Sequence, residues 1–307
     1  MSNSYYYSLN DYYRNLWGEK AYKISLSGGM SCPNRDGSIS DRGCIFCSEK
    51  GSGDFAINPS NSVADMITNA INLISDKYKG NRYIAYFQAF TNTYAPVSYL
   101  EKLFTDTIND TRISALSIAT RPDCLPDDVI ALLKKLNMIK PVTIELGLQT
   151  SNEATAKYIN RGYPLSVYDD ACIRLTEAQI PFVVHMIVGL KGETTTDYLN
   201  TARHIIKSKA SGIKIQLLHI LKNTALAFEY EQGLFEAMTM DEYVKAVVDI
   251  IEILPKDMVV HRITGDGPKS LLIAPMWSTN KKNVLNSITR EFIKRKTYQG
   301  KEYKQWL

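Results

Sequence analysis

The sequence predicts an α/β chain of six successive βα units, closing as a parallel barrel or part of one. Three observations carry this. Apolar β-type runs alternate with amphipathic helical stretches along most of the 307 residues. Runs such as Phe182-Val183-Val184-His185-Met186-Ile187-Val188 are apolar almost throughout, as parallel strands covered on both faces must be. No internal repeat, low-complexity segment or linker breaks the alternation, and 45% hydrophobic with 22% charged residues suits one large globular domain.

The first twenty residues are rich in tyrosine (Tyr5, Tyr6, Tyr7, Tyr12, Tyr13) and end in Leu16-Trp17-Gly18. They read as a short helix whose aromatic face caps the bottom or the open side of the barrel. Asp11, Arg14 and Glu19 leave no basic surplus for a nucleic-acid platform there. Strands are expected at 23–26, 83–87, 115–118, 142–148, 182–190 and 213–221. Helices are expected at 62–77, 97–109, 126–136, 153–160, 167–178, 195–207 and 240–254, several preceded by an Asp, Ser or Thr cap. Met258-Val259-Val260-His261-Arg262-Ile263 reads as one more strand, opening a C-terminal extension. The expected divisions are an aromatic segment at 1–20, the barrel at 21–255 and an extension with a basic tail at 256–307.

Net charge is +4, unevenly placed. Residues 281–307 hold eight Lys and Arg against Glu291 and Glu302, so the rest of the chain is slightly acidic. Tyr298, Tyr303 and Trp306 are interleaved with these bases, a composition suited to phosphate contacts and base stacking. A solvated terminal helix whose aromatics pack on the barrel fits the same residues equally well. No stretch approaches the apolar length of a membrane span, and residues 1–7 lack the basic region and apolar core of a signal peptide. The chain is therefore expected in the cytoplasm, where thiols stay reduced.

Three of the five cysteines, Cys32, Cys44 and Cys47, fall within sixteen positions of a polar, Gly-containing loop after the first strand. Thiolates in such a loop are soft metal ligands. A structural zinc site takes four protein ligands. Here one Cys-x-x-Cys has a single further cysteine before it, with no histidine between, so zinc would need a distant histidine such as His185. Three cysteines can instead hold three corners of a four-iron cluster and leave one iron open. Cys124 and Cys172 stand far apart and cannot build a second three-cysteine site; Cys124, after the third strand, either approaches the site or, like Cys172, is an inert buried thiol.

The loop, with Phe46 just before its last cysteine, resembles the cluster loop of radical S-adenosylmethionine (SAM) enzymes in a long-spaced form. Cys32-Pro33-Asn34-Arg35-Asp36-Gly37 and the stretch from Gln88 to Pro96 resemble the YhcC/YtqA-type bacterial branch, which is similar to the radical SAM half of the elongator catalytic subunit. The resemblance runs from about Tyr22 to the last residues and implies a partial six-stranded parallel β/α barrel. It implies a 4Fe–4S cluster on Cys32, Cys44 and Cys47. It implies reductive cleavage of SAM to methionine and a 5′-deoxyadenosyl radical that takes hydrogen from a substrate carbon. A reducing partner such as a flavodoxin or ferredoxin follows.

The loops after the strands then acquire expected roles. Gln88, Thr91, Asn92 and Thr93 follow the second strand, where the family binds the SAM amine, although Ala89-Phe90-Thr91-Asn92 departs from the usual Gly-Gly-Glu-type motif. Period-two alternation puts Glu145, Gly147 and Gln149 on one face of the fourth strand. The resemblance gives Glu145 and Gln149 to the SAM ribose and carboxylate, joined by Arg161; a lone Arg on a helix end is otherwise a surface residue. Gly189 fits the glycine against which adenine packs, and His185 either faces the site or is a hydrogen-bonded core residue. Gln216 and His219 lie three apart, so at most one points inward. Arg262-Ile263-Thr264-Gly265-Asp266-Gly267-Pro268 forms a loop that either closes over the substrate or is an ordinary turn.

The elongator-like resemblance and the basic tail point to tRNA, at the 5-substituent of a wobble uridine. A small metabolite or peptide substrate is the alternative, and an RNA-binding protein with a structural metal site is a reading from another class.

Overall fold

A computed structural model describes all residues except 1–4, 52, 54, 55, 58–61, 77, 79, 266 and 305–307. Seven parallel strands form one curled sheet in the order β1 (Tyr22–Leu26), β2 (Tyr83–Phe87), β3 (Ile113–Thr120), β4 (Val142–Gln149), β5 (Phe182–Val188), β6 (Gly212–Leu217) and β8 (Val259–Arg262). This is a half-barrel. Six strands are those the patterning picks out; the seventh is the strand expected at the start of the C-terminal extension. The strand expected at 213–221 is two, because the chain turns after Leu217 and Ile220–Leu221 (β7) pairs antiparallel with Leu272–Ala274 (β9).

Helices α2 (Val63–Ser75), α3 (Val97–Asn109), α4 (Asp127–Asn137), α5 (Glu153–Tyr158), α6 (Leu165–Glu177), α7 (Thr195–Lys207) and α9 (Met240–Ile253) follow the expected stretches. Their apolar stripes, including Leu100, Phe104, Leu133, Tyr168, Ile205 and Val247, bury against the convex face of the sheet. Side-chain caps at Ser62, Asn152 and Thr239 end the orphan N–H groups of their first turns. Patterning alone does not single out α8 (Ala225–Glu231), whose seven residues span two turns. It buries Leu226 and Ala227 in a second apolar cluster with Leu190, Leu218 and Ile220, against which Ile45 and Phe46 pack.

The edges of the sheet, β1 and β8, are joined by the N-terminal segment. Ser8 bridges Val260 on β8, and α1 (Leu9–Trp17) then leads into β1. Tyr13 is buried against Ala21, Ile84 and Ala115 near the starts of β1 to β3, so α1 lies at both expected places, the bottom and the open side. The tail of the chain packs here as well. Helix α10 (Lys281–Arg295) buries Val284, Ile288 and Phe292, and Tyr5 stacks on Phe292 at 5.3 Å. Among the described residues no helix is long and apolar enough to cross a membrane.

Candidate functional site

Cys32, Cys44 and Cys47 lie in the loop after β1, each half-buried. The loop holds its shape through its own polar residues. Arg35 and Asp36 N–H groups return to the Cys32 carbonyl, and Cys47 N–H to that of Cys44. The buried Asn34 amide donates to the Asn160 carbonyl at 2.6 Å and to Cys44 Sγ at 3.7 Å. The Arg35 guanidinium donates to the Cys47 carbonyl at 2.9 Å, and Asn160 to that of Gly43 at 2.7 Å. Ile45 is held on both sides, its N–H by Ile159 and its carbonyl by Leu226. Phe46 packs in the α8 cluster.

The two paired thiols are electrically unequal. A hydrogen bond with Cys47 first, opposed by burial and aided by Arg121, Asn34 and Arg35, lowers the Cys44 thiol to about 7. The same bond and burial raise Cys47 well above its ordinary value. One soft thiolate with cationic and N–H support and two further thiols on the same loop fit a thiolate-ligated iron cluster. Among the described residues no group of three His, Cys, Asp or Glu side chains converges on one ion. His185, the distant histidine a zinc site would need, has both ring nitrogens engaged elsewhere, with Glu145 and Gln216.

The segment after β2 stands directly against this loop. Thr91 N–H donates to the Ser31 carbonyl at 3.2 Å, and Gln88 N–H to that of Leu26 at 3.3 Å. Thr91, Asn92 and Thr93 are all buried. Asn92 spends its N–H groups on the Ala119 carbonyl, and Thr93 Oγ1 bonds Thr120 and the Cys124 carbonyl, so the Thr93 hydroxyl is not available to a ligand. The Asn92 Oδ1, in contrast, is buried without a partner, an acceptor suited to an ammonium.

At the end of β4 the sheet register shifts between Gly147 and Gln149, and Gln149 takes a left-handed φ of 65°. Its amide folds over Gly147, where a Cβ would stand 2.6 Å from Gln149 Nε2. Arg161 is neither a surface residue nor a free carboxylate clamp. It is buried, and its guanidinium donates to the carbonyls of Tyr163, Leu148 and Thr150 and to Glu153. Three of these bonds go to backbone carbonyls at and after the end of β4 and the fourth to the Glu153 carboxylate, which makes Arg161 a positioning residue. Gly189 ends β5 with a φ of 95°, its N–H bonded to Tyr198 Oη.

Glu145 and His185, expected at the cofactor, belong instead to a layer deeper in the barrel. The Glu145 carboxylate accepts Lys23 Nζ and Ser117 Oγ on one oxygen, His185 Nε2 and Lys214 Nζ on the other. Its acceptors are full. Burial opposes its ionisation, but Lys214, Lys23 and His185 hold it well below the carboxylate range. Burial and the Lys214 ammonium lower His185 to about 4, so its ring is neutral, with Nδ1 accepting from Gln216 and Nε2–H donating to Glu145. Gln216 therefore points inward, while His219 bonds Ser278 outside the lumen. Gly265 and Gly267 press against that His219 ring, and Asp266 lies outside the described residues.

Sequence reasoning missed Lys23, Tyr86, Ser117 and Lys214. The usable signal was a lysine centred in each of two apolar strand runs, Ala21-Tyr22-Lys23-Ile24 and Gly212-Ile213-Lys214-Ile215. Cys124 and Cys172 are buried with their thiols raised by burial, Cys172 to about 12. Two clefts flank the cysteine loop: one of about 870 Å³ lined by Arg35, Cys44, Cys47 and Asn160, and one of about 680 Å³ lined by Pro33, Tyr94 and Cys124.

Comparison with known proteins agrees with this geometry. The Radical SAM superfamily profile matches residues 37–205, and the Radical_SAM C-terminal domain profile matches 210–294. YtqA of Bacillus subtilis is 45% identical over 300 residues, 98% of this chain and 93% of that protein. YhcC of Escherichia coli K12 is 34% identical over 266 residues, 86% of this chain and 85% of that one. The tRNA uridine(34) acetyltransferase of Dehalococcoides mccartyi is 22% identical over 203 residues, 64% of this chain and 44% of the other. In fold, the chain is similar to the archaeal Methanocaldococcus infernus Elp3 lacking its N-terminus, with a TM-score of 0.69 at 15% identity, over 91% of this chain and 64% of that one.

Proposed function

The chain belongs to the radical SAM superfamily, and on that premise we propose that it modifies the 5-substituent of the wobble uridine of tRNA, as a cytoplasmic enzyme. Members of this superfamily use a 4Fe–4S cluster and SAM. Cys32, Cys44 and Cys47 would hold the cluster by three corners. Asn92 Oδ1 and the backbone around Thr91 would receive the SAM amine, Gln149 its ribose or carboxylate, and Gly189 its adenine face. When bound, the pair supplies one-electron cleavage of a carbon–sulfur bond, initiating hydrogen abstraction from the substrate.

The chain's own residues do the rest. Asn34, Arg35 and Asn160 fix the thiolates. Arg161 sets the course of the backbone after β4. The apolar cluster of Leu190, Leu218 and Leu226 under Phe46 keeps water from the side of the loop that α8 covers.

The tRNA reading rests on one observation: the sequence match to a protein named for acetylating tRNA uridine(34). The tail adds to it. Lys282, Arg290, Lys294 and Lys296 are exposed along α10 and its end, with Tyr298 half-exposed beside them. Arg295 does not count toward phosphate binding, because Asp249 and Glu291 already hold it. Of the three interleaved aromatics, Tyr298 faces solvent, Tyr303 is half-buried and Trp306 lies outside the described residues. A wobble base would have to leave its stack to reach the lumen.

The test is mass spectrometry of tRNA nucleosides from cells with and without the gene, complemented by wild type and by Cys44→Ala. Loss of one modified uridine with accumulation of its precursor, restored by wild type alone, supports the reading. An unchanged profile in cells without a redundant pathway overturns it and leaves a metabolite or peptide substrate.

A further inference from the structure

Among the described residues, two lysines inside the half-barrel share a single carboxylate. Lys23 on β1 reaches Glu145 on β4, and Lys214 on β6 reaches Tyr86 on β2 at 3.1 Å, pairings between non-adjacent strands that only the concave face permits. Both ammonium groups lie over the Tyr86 ring, at 4.7 Å and 4.5 Å from its centre. Between them stands one carboxylate, wholly buried, while the side chains of Lys23 and Lys214 keep 17% and 6% of their exposure. Each ammonium carries three N–H donors. Lys23 gives one to Glu145 and one to Ser117; Lys214 gives one to Glu145 and one to Tyr86. Among the described residues that leaves one N–H on each. His185 is neutral and adds no charge; burial first, opposed by Glu145 and aided by Lys23 and Arg262, lowers Lys214 to about 7, and an anion beside it would let it hold its proton fully.

Burying charge without a full complement of partners is costly. The floor, two lysines on one saturated carboxylate, is therefore underpaired whenever both are protonated. It is complete once a second anion arrives. We propose that Lys23 and Lys214 form a carboxylate-binding subsite that grips an acidic group on the molecule entering the lumen, Glu145 serving as the fixed counter-ion that aligns both lysines. Glu145 lies four residues below Gln149, so the floor sits on the order of 13 Å beneath the strand ends. A ligand anchored there is long enough to span from floor to reaction centre, as a base with an acid-tipped side chain is, or as a small acid lying beneath a base.

The inference rests on the reading that substrate enters this lumen, but not on the substrate being tRNA. It is tested without turnover, on the full chain carrying its cluster, by thermal unfolding under anaerobic conditions in chloride and in acetate at matched pH and ionic strength. Ligand that binds only the folded state raises Tm. Acetate at about ten times its Kd is expected to raise the wild-type Tm by about 3 °C over chloride. The variant Lys23→Met/Glu145→Gln/Lys214→Met leaves no buried charge unpaired and should fold; in it the acetate effect disappears. No acetate effect in wild type, or the same effect in the triple variant, overturns the proposal. Two further ligands assign the source: a uridine with a carboxylate-ended 5-substituent, and its methyl ester. If the acid displaces acetate and the ester does not, the base brings the carboxylate. If the ester binds together with acetate, a separate small acid does. An altered tRNA profile with no acetate effect defeats this proposal alone, and an unchanged profile with the effect defeats only the tRNA reading.

Discussion

His185 Nε2 lies 2.7 Å from the Glu145 carboxylate, across the concave face from β5 to β4. Burial and Lys214 lower the imidazole to about 4 from an ordinary value of 6.5. The unfolded chain then binds the extra proton first as pH falls. Stability from this group is whole above pH 6.5 and is lost as pH drops through the window to about 4. Glu145, held below its ordinary value, adds a loss of the same sign at still lower pH. Glu193, which burial raises to about 7, contributes with the opposite sign over much of the same window, so the His185 part is read as a difference: from pH 6.5 to 4 the stability of wild type, read from urea midpoints, should fall by about 3 kcal/mol more than that of His185→Gln. An unchanged slope in the variant would mean that His185 titrates normally.

Arg161 makes a second prediction, opposite to the one its sequence position invites. Its bonds to Leu148, Thr150 and Tyr163 leave three buried carbonyls wanting if it is removed. Arg161→Met should cost about 3 kcal/mol of stability, read from denaturant midpoints. Any loss of SAM affinity should accompany that general loosening. A folded variant of unchanged midpoint but greatly weakened SAM binding would show a direct contact instead.

The basic face of α10 predicts salt-dependent tRNA binding. Lys282 is exposed in the first turn of the helix and Arg290 about two turns further on. If they meet phosphates, Lys282→Glu/Arg290→Glu should weaken tRNA binding and reduce the slope of log affinity against log salt by about 2. Filter binding or fluorescence titration between low and moderate salt measures it. A slope equal to that of wild type would remove α10 from the interface.

How far the sequence reaches is best seen strand by strand. Strands such as β2 and β5 and helices such as α3 and α7 were legible because apolar residues recur at the period of the element, and the cysteine loop because its ligand types are rare. The curled sheet makes the rest illegible. Lys23, Glu145 and Lys214 are separated by 122 and 69 residues in the chain, yet they meet because curvature brings β1, β4 and β6 to one axis. Nothing local to any of them announces the other two. Arg161 escaped for another reason: the backbone groups it satisfies exist only once β4 has ended in the left-handed turn at Gln149.

Gly147 and Gln149 allow the site itself to be tested with little effect on the fold. An alanine Cβ at position 147 would stand 2.6 Å from Gln149 Nε2 and 3.7 Å from its Cδ. What it meets is the movable end of a side chain, so Gly147→Ala should displace the amide and leave the strand intact. If the Gln149 amide bonds SAM, losing that bond is worth about 1.4 kcal/mol, a tenfold rise in Kd. Gln149→Ala should give the same rise by direct removal. Because both changes act on one bond, the double variant should bind SAM no more weakly than either single one, the non-additivity expected of residues sharing a contact. Equilibrium dialysis with the cluster-bearing protein measures all four affinities. Additive losses would mean that Gly147 acts through its own backbone, and no loss in either single variant would take Gln149 out of the cofactor site.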